Sequence, residues 1–123
     1  MRHPQLLIHE GDGRLAAMLR PLVEAQKWSL REPAGAEGCL AALECGGPAV
    51  VVVKVGRDLE REMTLLEEVS RLHPEASVIL VGEAVHAPLI GLAWDLGASY
   101  VLLPPEPRER LPEIVAGLMG TVP

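Results

Sequence analysis

The sequence has almost no aromatic residues and almost no lysine. Among its 123 residues there is no phenylalanine, and the aromatic residues are two tryptophans and one tyrosine. A core must therefore be built from Val, Leu, Ile, Ala and Met. An apolar fraction of 49% and a charged fraction of 23% are nevertheless typical of a folded globular protein. The length predicts one domain over residues 1–123, with residues 119–123 as the start of a linker.

Basic residues are few and scattered. The formal net charge is −6, and only Lys27 and Lys54 are lysines. Binding to a phosphate backbone needs clustered basic side chains, so we expect no direct nucleic-acid partner. No run approaches the roughly 18 apolar residues of a membrane helix, and the N-terminus lacks the apolar core of a signal peptide. We therefore expect a cytoplasmic protein without membrane contact.

Metal-binding patterns are also lacking. The four histidines have no ligand spacing with one another or with Cys39 and Cys45. The two cysteines are six residues apart in one predicted helix, so they cannot form a disulfide within it. The sequence predicts no metal centre and no cofactor.

Apolar runs alternate with amphipathic stretches along the whole chain. Strands are predicted at 5–9, 28–30, 49–53, 77–81 and 100–103, and helices at 14–26, 36–45, 59–72, 88–96 and 107–119. Four consecutive valines, Val50 to Val53, indicate a strand buried on both faces. Five strand–helix units of about 25 residues favour an α/β flavodoxin-like doubly wound sandwich, with a five-stranded parallel sheet in the order 2-1-3-4-5. In such sheets, chemistry lies just beyond the carboxyl ends of the strands.

Three segments resemble the receiver domains of bacterial response regulators. They are PAVVVV at 48–53, LHPEASVI at 72–79 and AWDLGASY at 93–100. The last is the most specific, because Gly-Ala before an apolar strand that ends in proline is a strong receiver pattern. The resemblance covers essentially the whole chain and implies a role in signal transduction through a protein partner.

The resemblance also implies a phosphorylation site, from which this sequence departs. Receivers carry two acids after the first strand, a phosphorylated Asp after the third, Ser or Thr after the fourth, and Lys-Pro after the fifth. Here the acid pair falls on Glu10 and Gly11, the Asp on Lys54, the hydroxyl on Gly82, the Lys-Pro on Pro104 and Pro105, and an aromatic switch residue on Val101.

Lys54 decides the chemistry that we expect at this site. An ammonium group cannot become an acyl phosphate, and it repels the Mg²⁺ that phosphoryl transfer requires. The sequence therefore predicts a receiver fold without aspartyl phosphorylation and without enzymatic activity. We hypothesise that Lys54 pairs with Glu10, with Asp12 at the same place, instead of a metal. The alternative is that Lys54 extends to solvent.

Receivers signal through the face formed by their fourth helix, fifth strand and fifth helix, and many dimerise there. The resemblance places Leu89, Trp94, Tyr100, Val101 and Pro107 on that face, as a candidate surface for a protein partner or a homodimer. Trp94 also fits core packing, since it is spaced helically from Ile90. We expect a cis peptide bond at Pro104–Pro105, as in the family.

Three alternatives compete with this interpretation. The segment Gly11-Asp12-Gly13 fits a dinucleotide-binding turn, with Glu32 about 20 residues on, but carboxylates at 10 and 12 disfavour an anion there. Flavin binding is weaker still, because the same loop has no Ser or Thr. Asp58 is a candidate displaced phosphoacceptor, although Asp at that place more often caps a helix.

Overall fold

The computed structural model describes residues 4–33, 35–56 and 58–120. The strands are β1 (Gln5–His9), β2 (Ser29–Arg31), β3 (Ala49–Lys54), β4 (Ser77–Val81) and β5 (Tyr100–Leu102). The helices are α1 (Arg14–Gln26), α2 (Gly35–Leu43), α3 (Leu59–Leu72), α4 (Ile90–Asp95) and α5 (Leu111–Gly120). Short 3-10 helices, Ala84–Leu89 and Arg108–Arg110, precede α4 and α5. No helix in these ranges has the length and apolar character of a membrane span.

All five strands are parallel, and their order is β2-β1-β3-β4-β5. This arrangement confirms the flavodoxin-like fold predicted from the alternation of strands and helices. The central strand β3 pairs with β1 and β4, which places His9 beside Val53 and Lys54 beside Val81. The carboxyl ends of these three strands therefore meet at one edge of the sheet.

The sheet separates two apolar layers, and β3 contributes to both. Val51 and Val53 pack with residues of α2, α3 and α4, whereas Val50 and Val52 pack with residues of α1 and α5. All four valines are fully buried, because helices cover both faces of the strand. The largest buried side chains are leucine and isoleucine, as expected for a chain without phenylalanine.

Several helix ends differ from the predicted ones. Helix α2 ends at Leu43, since Gly46 and Gly47 both adopt positive φ after it. The exposed Cys45 thus lies beyond the helix, while Cys39 is buried, and burial raises the pKa of its thiol to about 11.

The two C-terminal helices begin later than predicted. A 3-10 helix containing Pro88 precedes α4, so α4 spans only six residues. Helix α5 begins at Leu111 and continues to Gly120, so the first two residues of the predicted linker are helical. Residues 121–123 lie outside the described residues.

Candidate functional site

Lys54 forms an ion pair at the carboxyl edge of the sheet. Its ammonium nitrogen Nζ donates a hydrogen bond to Oδ2 of Asp12 over 2.8 Å. The Lys54 side chain is only 20% exposed, so it does not simply extend to solvent. Lys54 is the main cause that lowers the pKa of Asp12 from 3.8 to about 2, and the backbone N–H of Arg14 adds to this effect. The predicted partner of Lys54 is therefore corrected from Glu10 to Asp12.

Glu10 has a different task, which is to cap α1. Its Oε1 accepts the backbone N–H of Leu15 over 2.9 Å, and its Oε2 accepts that of Ala16 over 3.0 Å. Gly13 occupies the N-cap position with a φ of 73° and offers no side chain. This left-handed turn brings the Glu10 carboxylate over the end of the helix, where it satisfies two otherwise unpaired donors. Asp12, two residues before the helix, accepts the backbone N–H of Arg14, the first residue of α1, over 3.0 Å.

The corner of the site beside Gly82 has no room for a side chain. A β-carbon at position 82 would lie 2.8 Å from Cδ2 of Leu103 and 2.9 Å from Nδ1 of His86. His86 is held there because its Nδ1 accepts the backbone N–H of Glu83 over 2.9 Å. The place where receivers carry a hydroxyl is thus filled by its neighbours.

The loops that follow β4 and β5 are joined to each other. Arg108 donates from its guanidinium to Oε1 of Glu83 over 2.6 Å, which links the two loops. The peptide bond between Pro104 and Pro105 is cis, as predicted, and both residues are exposed. Pro104 offers no cation in place of the lysine of receivers.

Glu62 is a further site residue that sequence reasoning missed. It lies in the first turn of α3, only 7% exposed, and both its carboxylate oxygens accept the backbone N–H of Gly56, over 2.9 and 3.1 Å. This contact fixes the loop between β3 and α3. The signal that could have found Glu62 is its spacing, because it lies four and seven residues before the buried Leu66 and Val69.

The structure brings only part of the predicted pocket together. Glu10, Gly11, Asp12 and Lys54 line a cleft of about 560 Å³, together with His9, Gly56, Asp58 and Glu62. Gly82, Pro104 and Pro105 do not line it. A larger cleft of about 920 Å³ adjoins it beside α2 and α3 and shares His9, Asp58 and Glu62 with it.

The side chains of the cleft do not suit the Mg²⁺ ion that the receiver fold implies. Mg²⁺ needs oxygen ligands, but both oxygens of Glu10 are bound to α1 and Asp12 is paired with Lys54. The ammonium group of Lys54 already supplies a positive charge at this place. Within residues 4–33, 35–56 and 58–120, no three His, Cys, Asp or Glu side chains gather in a group able to hold a metal ion.

The same geometry bears on dinucleotide binding and on Asp58 as a phosphoacceptor. A pyrophosphate at the N-terminus of α1 would meet the Glu10 carboxylate, which already binds the free N–H groups of that helix end. Asp58 caps α3, since its Oδ1 accepts the backbone N–H of Arg61 over 3.2 Å. Its other carboxylate oxygen lies 3.2 Å from Nε of Arg61.

The five residues of the predicted interaction surface have different environments. Trp94 is 46% exposed and Pro107 is also exposed, whereas Leu89 lines a groove between α3 and α4. Tyr100 and Val101 pack on opposite faces of the sheet. The Tyr100 hydroxyl donates to Oε2 of Glu106 over 2.6 Å, and this carboxylate raises the pKa of Tyr100.

Comparisons with known proteins reveal likeness in fold. No protein-family model and no curated protein matches the chain. The receiver domain of NtrX from Brucella abortus is 18% identical, with a TM-score of 0.73 over 94% of this chain and 97% of that one. The signal receiver domain of a protein assigned as a LuxO repressor, from Vibrio parahaemolyticus, is 18% identical, with a TM-score of 0.74 over 97% and 91%.

Longer proteins match over one part of their length. The chain matches a longer NtrX structure with 19% identity and a TM-score of 0.74, and the match covers 98% of this chain and 27% of that one. The sheet order, the helices on both faces and these likenesses agree with one another. The chain has the fold of a signal receiver domain.

Proposed function

We propose that this chain is an atypical receiver domain of a response regulator, which acts in signal transduction by contact with a protein partner and without aspartyl phosphorylation. The proposal places it in the cytoplasm and assigns it no enzymatic activity. Its fold is the reason to place it in signalling, because receiver domains share that fold. The departures at the strand ends are the reason to call it atypical.

The ion pair between Lys54 and Asp12 carries the proposal. Transfer of a phosphoryl group to a receiver needs a carboxylate nucleophile and a divalent cation that neutralises the developing charge. At the end of β3 stands an ammonium group in place of a carboxylate, and it is paired with the Asp12 carboxylate at 2.8 Å. Gly82 and Pro104 add neither the hydroxyl nor the lysine that would stabilise the transferring group.

A fixed ion pair suits a domain that holds one state. Where a metal ion and a phosphoryl group bind and are released, the charge at the strand ends changes. Here the positive charge is covalently part of β3, and the loop after β1 is tied to it by Asp12. We therefore propose that the domain serves as a constant binding module, regulated by the presence of its partner.

Incubation with acetyl phosphate and MgCl₂, followed by intact-mass measurement, tests this function. We expect the mass to stay unchanged, while a receiver domain with a complete acidic site gains one phosphoryl group in the same buffer. A stable gain of one phosphoryl group by the wild-type chain would overturn the proposal. In that event, loss of the added mass in Asp58→Ala would assign the phosphorylation to Asp58.

A homodimer is part of the same proposal. Trp94 is the exposed aromatic residue on α4, and tryptophan is enriched at the centres of protein interfaces. Sedimentation equilibrium of the wild type and of Trp94→Ser measures dimerisation. We expect the wild type to associate and the variant to remain monomeric at the same concentration. A wild-type chain that stays monomeric at high concentration would exclude the homodimer and leave a different protein as partner.

A further inference from the structure

Helices α3 and α4 lie side by side and leave an apolar groove between them. The groove has a volume of about 590 Å³, and five apolar side chains line it: Leu59, Met63, Leu89, Leu92 and Leu96. Leu92 is 48% exposed, although leucine is a residue that folding normally buries. An exposed apolar surface of this kind marks a place of interaction.

The chain just after α4 lies very close to α3. Past the end of α4, Gly97 approaches α3 so closely that a β-carbon there would lie 1.9 Å from Oγ of Ser70. Its φ of 110° also suits glycine alone. Helix α4 is short and begins only after the 3-10 helix that contains Pro88. The close approach of Gly97 to Ser70 therefore lies near the Leu96 end of the groove.

The lining residues repeat at helical spacing on both walls. Leu89, Leu92 and Leu96 follow one another at steps of three and four along the α4 wall. Along α3, Glu60, Met63 and Glu67 are spaced in the same way. An apolar floor between two helical ridges is the shape that receives the apolar face of a third helix.

Acidic side chains rim this groove. They are Glu60 and Glu67, both on the α3 wall. Glu67 has one compensating partner, Arg71, at 3.2 Å, and the segment Ala84–Asp95 contains no Lys or Arg. The whole chain carries a net charge of −6. Charge complementarity therefore favours a basic occupant over a second copy of this acidic chain.

We propose that this groove binds an amphipathic helix of a partner protein, with apolar side chains at positions i, i+3 or i+4, and i+7, and with Lys or Arg beside them. This inference rests on the proposed function, since it names the chemistry of the partner that an interaction domain requires. The apolar residues of the partner helix would lie between the leucines of the α4 wall and the side chains of Leu59 and Met63 on α3. The basic residues would reach the carboxylates of Glu60 and Glu67.

Selection from a display library of random peptides of about 16 residues tests this proposal. The library is first depleted on the Leu92→Asp variant and then selected on the wild-type domain. We expect the enriched peptides to combine the apolar spacing with Lys or Arg. Enrichment of acidic peptides, or no enrichment over the depleted library, would overturn the proposal.

Fluorescence anisotropy with an enriched peptide then locates its site. Leu92→Asp and Glu60→Lys should each weaken binding at least about tenfold. Their matched controls are Val85→Asp, which changes an exposed apolar residue outside the groove, and Glu24→Lys, which changes an exposed acid on α1 across the sheet. The controls should leave binding within about twofold of the wild type. Equal losses in the controls and the groove variants would overturn the assignment to this groove.

The two proposals can fail separately. Phosphorylation by acetyl phosphate with normal peptide binding would reject the proposed function and leave the groove in place. An unchanged mass with no peptide enrichment would reject the groove alone. If sedimentation shows that Leu92→Asp abolishes a wild-type dimer that Trp94→Ser leaves intact, a second copy occupies the groove, which overturns the basic helix as its occupant.

Discussion

Leu103 and Gly82 lie in such close contact that the smallest possible side chain at position 82 would overlap Leu103. The β-carbon of any other residue would be 2.8 Å from Cδ2 of this leucine, which is buried. In receivers the same place carries a hydroxyl residue. The apolar core has thus extended into the place that the hydroxyl would need.

We predict that Gly82→Ser destabilises the fold by about 1–3 kcal/mol, the usual cost of overpacking. Urea unfolding measures the change, and Gly91→Ser is the matched control, because the space around a β-carbon at Gly91 is open. The double variant Gly82→Ser with Leu103→Ala should lose less free energy of unfolding than the two single variants lose together. Equal stability of Gly82→Ser and Gly91→Ser would contradict the contact.

We predict that Glu10→Ala lowers the free energy of unfolding by about 1–2 kcal/mol, since it removes the two carboxylate oxygens that accept the N–H groups of Leu15 and Ala16. The amides of Leu15 and Ala16 should also exchange faster with solvent. Glu24→Ala, an exposed glutamate near the other end of the same helix, is the control. The capping role would be refuted if the two alanine variants were equally stable and showed equal exchange.

We predict that Asp12 contributes to the free energy of unfolding and that this contribution is lost in acid. The pKa of Asp12 is lowered from 3.8 to about 2 in the folded chain. The stabilisation by ionised Asp12 is therefore complete at pH values above its pKa in the unfolded chain, and it disappears as the pH falls from about 4 to about 2. The difference in unfolding free energy between wild type and Asp12→Asn should therefore be constant near neutral pH and shrink over this range. NMR titration of Lys54→Met should show the pKa of Asp12 raised towards its ordinary value. An Asp12 that titrates at the same pH in both chains would exclude Lys54 as the cause.

We predict that Glu62→Ala lowers the free energy of unfolding by about 1–3 kcal/mol, because the Gly56 N–H loses its carboxylate acceptor. Glu62→Gln should lose less, since its amide oxygen still accepts one hydrogen bond. Hydrogen exchange at Gly56 should accelerate in the alanine variant. Glu60→Ala changes the exposed neighbour and serves as control; a loss there as large as in Glu62→Ala would show that burial of Glu62 is unimportant.

The fold followed from short-range patterns. The run Val50–Val53 predicted a strand buried on both faces, and it is the centre of the sheet. The alternation of strands and helices predicted the order of that sheet, because parallel strands with right-handed crossovers allow few arrangements. The position of Lys54 at the end of β3 also followed, since the strand to which it belongs is so clearly marked.

The contacts within the site could not be predicted from the sequence in the same way. Glu10 and Asp12 are two residues apart, and both are carboxylates after β1, so the sequence could not decide which one pairs with Lys54. The left-handed conformation of Gly13 decides it, because it turns Glu10 onto α1 and leaves Asp12 beside the ammonium group.

The sequence by itself determined the fold and the identity of the charge at the end of β3, because apolar periodicity and strand boundaries are local properties of the chain. Only the tertiary structure decided that Leu103 and His86 fill the corner at Gly82, that Glu62 is bound to Gly56, and that α3 and α4 leave a groove between them. Each of these depends on atoms from separate segments meeting within a few ångströms. Such distances are set by the packing of the whole core, which residue spacing along the chain does not encode directly.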